Sequence, residues 1–282
     1  MFPSIFSRWK VFPCLFTANQ QNYVASPVSV LILLSALLGA KGPQGETADQ
    51  LCQAIKGTTD KCSESIITEI RQNTEQTTRQ LMAARSGAKP SEKVVKIANA
   101  MFVQKEVVVK PSFESKFESD NITTIGMNNR FQFVVILPTE DLNIKGLNLL
   151  FMEGFDWSVI KKALGKQIKL VLPRFKLEHE VDLIPTLKAM GVRNLFSKQL
   201  ADLSGITEEA MLYVEQAKQN AILEVTEKGV KAGAITSMQM VPMSLRPAGE
   251  PFVVDQPFFC AVYDSELMLP LFLARVVDPP PV

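Results

Sequence analysis

The feature that most constrains the fold of this chain is a segment toward its C-terminus, residues 227–244. A strand-like run, residues 221–226, precedes it and ends shortly before Gly229. From that glycine onward, one alternating set of positions is small and mostly apolar, beginning with Val230 and Ala232, while the other set tolerates solvent. Strand side chains alternate between the two faces of a sheet, so such a segment suits both an exposed loop and a paired strand. We therefore predict a two-state element here.

Length and composition indicate a globular chain with a sizeable core. Its 282 residues are 46% hydrophobic and 21% charged, which is not the composition of a disordered protein. The net charge of +1 disfavours binding to nucleic acid, which depends on contacts to phosphates. The apolar run 24–40 contains Pro27 and is too short for a comfortable membrane span. We expect a buried helix there and no membrane partner.

No constellation of residues indicates an enzyme. A hydrolase needs an activated nucleophile, usually with a base beside it, and the single histidine, His179, lies in a charged segment. The glycine-containing run 229–233 matches neither a phosphate-binding loop nor a dinucleotide-binding fingerprint. We expect a protein that is not an enzyme and that binds no cofactor and no metal.

The four cysteines show no metal-ligand spacing and no recognisable disulfide framework. We favour four free thiols in mostly buried positions, because free cysteine behaves as a small hydrophobic residue. The alternative is a bridge between two cysteines that lie ten residues apart, Cys52 and Cys62.

Periodicity and turn residues predict helices first and strands later, which favours an α+β fold. Ser26-Pro27 has the features of a helix start, and the apolar run continues to Leu38 before Gly39. The remaining predicted helices are 46–55, 63–84, 111–120 and 182–190; the predicted strands are 94–109, 131–137 and 213–226, with a closing hairpin of 252–263 and 269–277.

Several separate motifs follow one another along the chain: NYVASPVS at 22–29, LGAKG at 38–42, IANAMF at 97–102, LPRFKLE at 172–178, LSGI at 203–206 and FVVDQPFF at 252–259. Together with residues 227–244 they resemble the serpins, the serine protease inhibitor superfamily, from about Asn22 to the C-terminus. The resemblance implies one α+β domain over residues 1–282. It would have N-terminal helices, mixed and antiparallel sheets and an exposed reactive-centre loop.

The chain departs from the family pattern between Phe117 and Phe131. Members of the family carry a long insert there, with a helix that crosses the main sheet and with the third strand of that sheet. Here residues 118–130 form only a short connector. The resemblance therefore implies an internally shortened domain that lacks one of the two strands between which the cleaved loop inserts.

The resemblance also implies suicide inhibition of a serine protease. Counted from Gly229 as in the family, the scissile bond is Met243-Ser244. Methionine is long, unbranched and uncharged, so the expected partner is an elastase-like or chymotrypsin-like protease. Arg246 is a second candidate, for a trypsin-like protease. The alternative is a non-inhibitory or truncated form that acts as a binding or regulatory protein or as a simple protease substrate.

Two further groups of residues take roles only from the resemblance. The first is a hinge that inserts into the main sheet after cleavage. The second is a shutter-like group beneath the point where that sheet opens. In this group a glutamine replaces the histidine of the family. For the two serines of the group, the alternative role is helix capping. The hinge residues are Glu227, Gly229, Val230, Ala232, Gly233, Ala234 and Thr236, and the shutter-like residues are Ser26, Ser29 and Gln219.

The family resemblance implies an extracellular monomer. The N-terminal residues 1–19 lack a clear signal peptide, because Pro3, Arg8 and Lys10 interrupt the apolar run. Asn121, in Asn121-Ile122-Thr123, is a candidate glycosylation site if the chain is secreted.

Overall fold

The structure is a computed structural model that describes residues 21–83, 93–98, 122–126, 130–138, 146, 169–226, 229–232 and 251–281. The described helices are α1 (Pro27–Gly39), α2 (Gly45–Lys56), α3 (Glu64–Ala83) and α4 (Leu183–Ala189), followed by a 3₁₀ turn at Asn194–Phe196. The described strands are β1 (Tyr23–Ala25), β2 (Lys93–Ala98), β3 (Ile122–Gly126), β4 (Phe131–Ile136), β5 (Lys169–Val171), β6 (Phe175–Asp182), β7 (Lys218–Thr226), β8 (Gly229–Ala232), β9 (Pro251–Val253), β10 (Phe258–Asp264) and β11 (Leu269–Val276).

These strands form three groups. The main sheet has the order β3-β2-β8-β7-β6, the C-terminal sheet has the order β1-β11-β10-β4, and β5 pairs with β9. Strand β1 pairs with β11 and also contacts β6 and β7, so it lies where the two larger sheets meet. The predicted α+β class, with helices before most strands, is confirmed.

Helix α1 forms the centre of the helical layer. The hydroxyl of Ser26 accepts a hydrogen bond from the Ser29 amide, and Pro27 occupies the first turn, where its missing N–H costs nothing. The helix is apolar on nearly all sides and mostly buried, and it packs against α2, α3 and β11. Within the described residues, no helix combines the length and apolarity that a membrane span requires.

Two strand predictions are wrong. Only Lys218–Thr226 of the predicted strand 213–226 is a strand. The predicted strand 252–263 is divided between β9, which pairs with β5, and β10, which lies in the C-terminal sheet. The division falls at Pro257, which lacks a backbone N–H donor. The helix predicted at 111–120 lies outside the described residues, as does 99–109 of the predicted strand 94–109.

The connector after Phe117 is more structured than the sequence predicts. Residues Ile122–Gly126 form β3, which pairs antiparallel with β2 at the edge of the main sheet. The connector ends at Arg130, whose side chain is only 8% exposed and makes an ion pair with fully buried Asp264. Its Nε lies 2.9 Å from both carboxylate oxygens and its Nη2 lies 2.6 Å from Oδ2. This ion pair fixes the start of β4 against the turn between β10 and β11.

The preferred prediction of four free cysteines is wrong. Cys52 and Cys62 form a disulfide with a Cα–Cα distance of 6.2 Å. The reason is the end of α2, where Gly57 adopts the left-handed conformation (φ +64°) and reverses the chain so that Cys62 lies beside Cys52. Cys260 is a free, buried thiol, and burial raises its pKa.

Candidate functional site

The first residues of the predicted hinge form a strand of the main sheet. Strand β8 pairs antiparallel with β7, so that Thr226 faces Gly229, Val225 faces Val230 and Leu223 faces Ala232. Val225 and Leu223 are buried. The register therefore sets positions 230 and 232 directly opposite two buried residues of β7. This register agrees with the alternation seen in the sequence.

On its other side, β8 neighbours β2. The two strands are parallel, and within the part of the chain that the structure describes Val95 pairs with Ala232. Strand β8, the first part of the predicted hinge, therefore lies between β7 and β2. The family resemblance implies that the missing third strand would lie next to β8, where β2 lies here. The remaining predicted hinge residues and the predicted scissile bond lie outside the described residues: Glu227, Gly233, Ala234, Thr236, Met243 and Ser244.

The structure brings the three shutter-like residues together: Gln219 lies on β7, the neighbour of β8, and Ser26 and Ser29 lie at the start of α1. Gln219 makes a reciprocal pair with the backbone of Ser26: the Ser26 amide donates to Oε1 at 2.9 Å, and Nε2 donates to the Ser26 carbonyl at 2.8 Å. The Ser26 hydroxyl donates to the Leu271 carbonyl at 2.8 Å and accepts from the Ser29 amide at 3.3 Å. Ser26 thus connects α1, β7 and β11, and it is also the N-cap of α1.

His179 lies on β6, where its ring packs against Tyr23 with a centroid distance of 4.8 Å. Burial, and then the charge of Arg275, hold the pKa of His179 below its ordinary value. Burial raises the pKa of Tyr23. This cluster joins β1, β6 and β11 and was not predicted, because the sequence alone does not show β1. Among the described residues, no group of acidic, histidine and cysteine side chains has the geometry of a metal site.

Comparison with known proteins assigns the chain to a protein family. The family model described as "Serpin (serine protease inhibitor)" matches residues 9–124 and 116–279. An alpha-1-antitrypsin-like protein of Ictidomys tridecemlineatus is 31% identical over 217 residues, which are 67% of this chain and 52% of that protein. Alpha-1-antiproteinase of Ovis aries is 38% identical over 120 residues, which are 43% of this chain and 28% of that protein. The chain thus spans about half or less of these relatives' length.

Solved structures agree with this assignment at the level of the fold. A serpin from the trematode Schistosoma haematobium superimposes with a TM-score of 0.75 at 21% identity, over 98% of this chain and 99% of that one. Because the two matched stretches of the family model together cover most of the sequence, from residue 9 to residue 279, we conclude that the chain belongs to the serpin family.

Proposed function

We propose that this protein inhibits a serine protease as a suicide substrate, with Met243-Ser244 as the scissile bond and residues 229–236 as the hinge. The observation that carries this proposal is the position of β8, whose four residues already form a strand between β7 and β2. A protease that cleaves beyond β8 would release the loop, and the freed segment would extend this strand. Loop insertion of this kind is a known serpin switch that releases stored strain.

The pairing of β7 with β8 supports the hinge role of residues 234 and 236. Continued in the same antiparallel register, Ala234 would face Ala221 and Thr236 would face Gln219, both of which are buried. Small residues at these positions extend the strand without a clash. Insertion as far as Thr236 would bring the hinge to the Gln219–Ser26 pair, so we propose that this pair controls how readily the sheet accepts the loop.

The nature of Met243 supports an elastase-like or chymotrypsin-like target, since its side chain is uncharged and flexible. Arg246 supports a trypsin-like target as the less favoured choice. We propose a monomer that acts on one protease at a time.

We propose an extracellular location, although members of the family occur both outside and inside cells. The Cys52–Cys62 disulfide supports this location, because disulfides persist mainly in oxidising compartments. If the protein is extracellular, we expect Asn121 to be glycosylated.

The alternative is a serpin-fold protein that does not inhibit, acting as a binding or regulatory protein or as a substrate. It is favoured by the short connector after Phe117, because the resemblance implies that the missing segment would supply one of the two strands between which the loop inserts. The two stretches that match the family model meet at residues 116–124, which supports a single domain shortened after Phe117.

The test is to incubate the protein with an elastase, a chymotrypsin and a trypsin and to separate the products on a denaturing gel. We expect a covalent complex with the first two proteases and cleavage after Met243. As a matched control, Met243→Arg should move complex formation to trypsin. Cleavage after Met243 without any complex would contradict inhibition and favour the role of a substrate.

A further inference from the structure

Three charged residues occupy one register row across β6, β7 and β8. Glu224 of β7 is the register partner of Lys176 on β6 and of Lys231 on β8. Lys176 is exposed and Glu224 is half-buried. The neighbours of Glu224 along β7, Leu223 and Val225, are buried. The row therefore carries the charges plus, minus and plus in strand order, and we call it the charge row.

Charges at facing positions act directly on strand pairing. Opposite charges stabilise a strand pair, and like charges placed opposite each other destabilise it. A cross-strand ion pair already joins β6 to β7, since Lys218 Nζ lies 2.7 Å from Glu180 Oε1 and both side chains are exposed. The charge row extends the same alternation of sign from β6 and β7 to β8.

The buried rows beside the charge row do not by themselves fix the register of β8. In the observed register, Val230 and Ala232 are set opposite buried residues of β7. After a shift of two residues along β7 they would be set opposite Leu223 and Ala221, which are buried as well. A shift by two residues keeps the alternation of a strand, so the apolar rows lose little.

The charge row does distinguish these registers. The same shift would set Lys231 opposite uncharged Ile222, and Glu224 opposite Gly229. It would also move β8 by about 7 Å along β7, because an antiparallel strand rises about 3.4 Å per residue. Every residue that enters the sheet after β8 would then be displaced by the same two positions.

We propose that Glu224 is a positioning residue for loop insertion: with Lys231 opposite it and Lys176 on its other side, it holds β8 in the register from which the cleaved loop inserts. This inference rests on the proposed function, because the register affects inhibition only if the loop inserts. Outside this register insertion is slower. Water then has more time to hydrolyse the ester that joins the protease serine to the Met243 carbonyl, which releases free protease and cleaved inhibitor.

The test compares the wild type with Glu224→Gln, with Lys231→Glu and with the triple variant K176E/E224K/K231E. Lys231→Glu places two like charges opposite each other, whereas the triple variant inverts every charge of the row and restores the alternation. The control is Glu178→Gln. Glu178 is exposed on β6 and its register partner is uncharged Ile222, so this control neutralises a carboxylate of the same sheet outside the charge row.

Hydrogen exchange of the β8 amides in the uncleaved protein measures the pairing of β8 without any protease. We expect exchange to be about threefold faster in Glu224→Gln and about tenfold faster in Lys231→Glu, where repulsion is added to the lost attraction. The triple variant and the control should stay within about twofold of the wild type. The number of loops cleaved per protease captured should rise in the same order.

The outcomes separate this inference from the proposed function. Equal exchange of the β8 amides in the wild type, Glu224→Gln and Lys231→Glu overturns the role of the charge row. A triple variant that exchanges as fast as Lys231→Glu also overturns it, because the effect would then not come from alternation of charge. Equally faster exchange throughout β6, β7 and β8 overturns it as well, since the whole sheet would have loosened. If the wild type captures no protease, inhibition fails, while exchange still decides whether the charge row sets the register of β8.

Discussion

At the scale of single residues, Gln219 carries the connection between the main sheet and α1. Its amide satisfies both the amide and the carbonyl of Ser26, and both residues are buried. Gln219→Ala removes the partner of the Ser26 amide and leaves the Ser26 carbonyl with the longer hydrogen bond from the Val30 amide, 3.4 Å. We therefore expect the free energy of unfolding to fall by about 1–3 kcal/mol in urea denaturation. The matched control is Asn220→Ala, which is exposed on the same strand. Equal, small losses for both variants would contradict the role of Gln219.

Gly205 is a second residue on which the fold depends. Its amide donates to the Gly42 carbonyl at 3.1 Å. A Cβ there would clash with the Lys41 carbonyl oxygen and lie 2.7 Å from that of Gly42. Backbone atoms cannot move aside cheaply, so Gly205→Ala should destabilise the protein by about 2 kcal/mol or more. Glu209→Ala, an exposed change in the same loop, should leave the urea midpoint unchanged, and a similar result for Gly205→Ala would refute the clash.

At the scale of elements, the Arg130–Asp264 ion pair joins the start of β4, the end of α3 and the β10–β11 turn. Arg130 also donates to the Gln80 carbonyl, while Asp264 accepts from the amides of Glu266 and Leu267. Asp264→Asn leaves the buried Arg130 charge with the exposed carboxylate of Glu266 as its remaining ion-pair partner. We therefore expect the free energy of unfolding to fall by about 3 kcal/mol in urea denaturation.

Glu266 provides the control for this prediction, since it contacts the same arginine but is 66% exposed. Glu266→Gln should cost about 1 kcal/mol or less. If the two variants unfold at the same urea concentration, the buried pair does not hold these elements together.

The cluster of Tyr23, His179 and Arg275, which joins β1, β6 and β11, should make the free energy of unfolding depend on pH through His179. Its pKa in the folded protein is lowered, by burial and then by Arg275, whereas an unfolded histidine titrates near 6.5. As the pH falls through about 6.5, the unfolded chain takes up more protons than the folded one, so stability falls toward acid pH. The urea midpoint of wild type should drop between about pH 7.5 and 5, and less steeply in His179→Gln. Identical slopes would exclude this cause.

These elements also show how much could be predicted from the sequence. Helix α1 was predictable because its cap, its proline and its apolar run are all local. Alternation of residue size predicted that positions 230 and 232 share a face, and the register sets both opposite buried residues of β7. In contrast, Ser26 and Gln219 lie 193 positions apart, and it was the family resemblance that grouped them. The Cys52–Cys62 bridge depends on the left-handed turn at Gly57. Interactions that need the tertiary fold or one exact turn leave no local pattern.

At the scale of the whole molecule, the main sheet combines two distant parts of the chain. Strands β2 and β3 come from residues before 127, and β6, β7 and β8 come from residues after 174. Among the described residues, the two parts meet at the β2–β8 boundary, where Val95 pairs with Ala232. This boundary lies at the strand that insertion of the loop would lengthen.

Hydrogen exchange of residues 234–236, before and after a protease cuts the loop, tests this account most directly. If the loop inserts, these amides gain hydrogen-bond partners on β7 and should become as protected from exchange as the β7 amides. The melting temperature should rise as well. A chain that does not insert would show the same fast exchange at residues 234–236 and the same melting temperature after cleavage as before it. That result would contradict the central claim that the hinge strand extends into the main sheet.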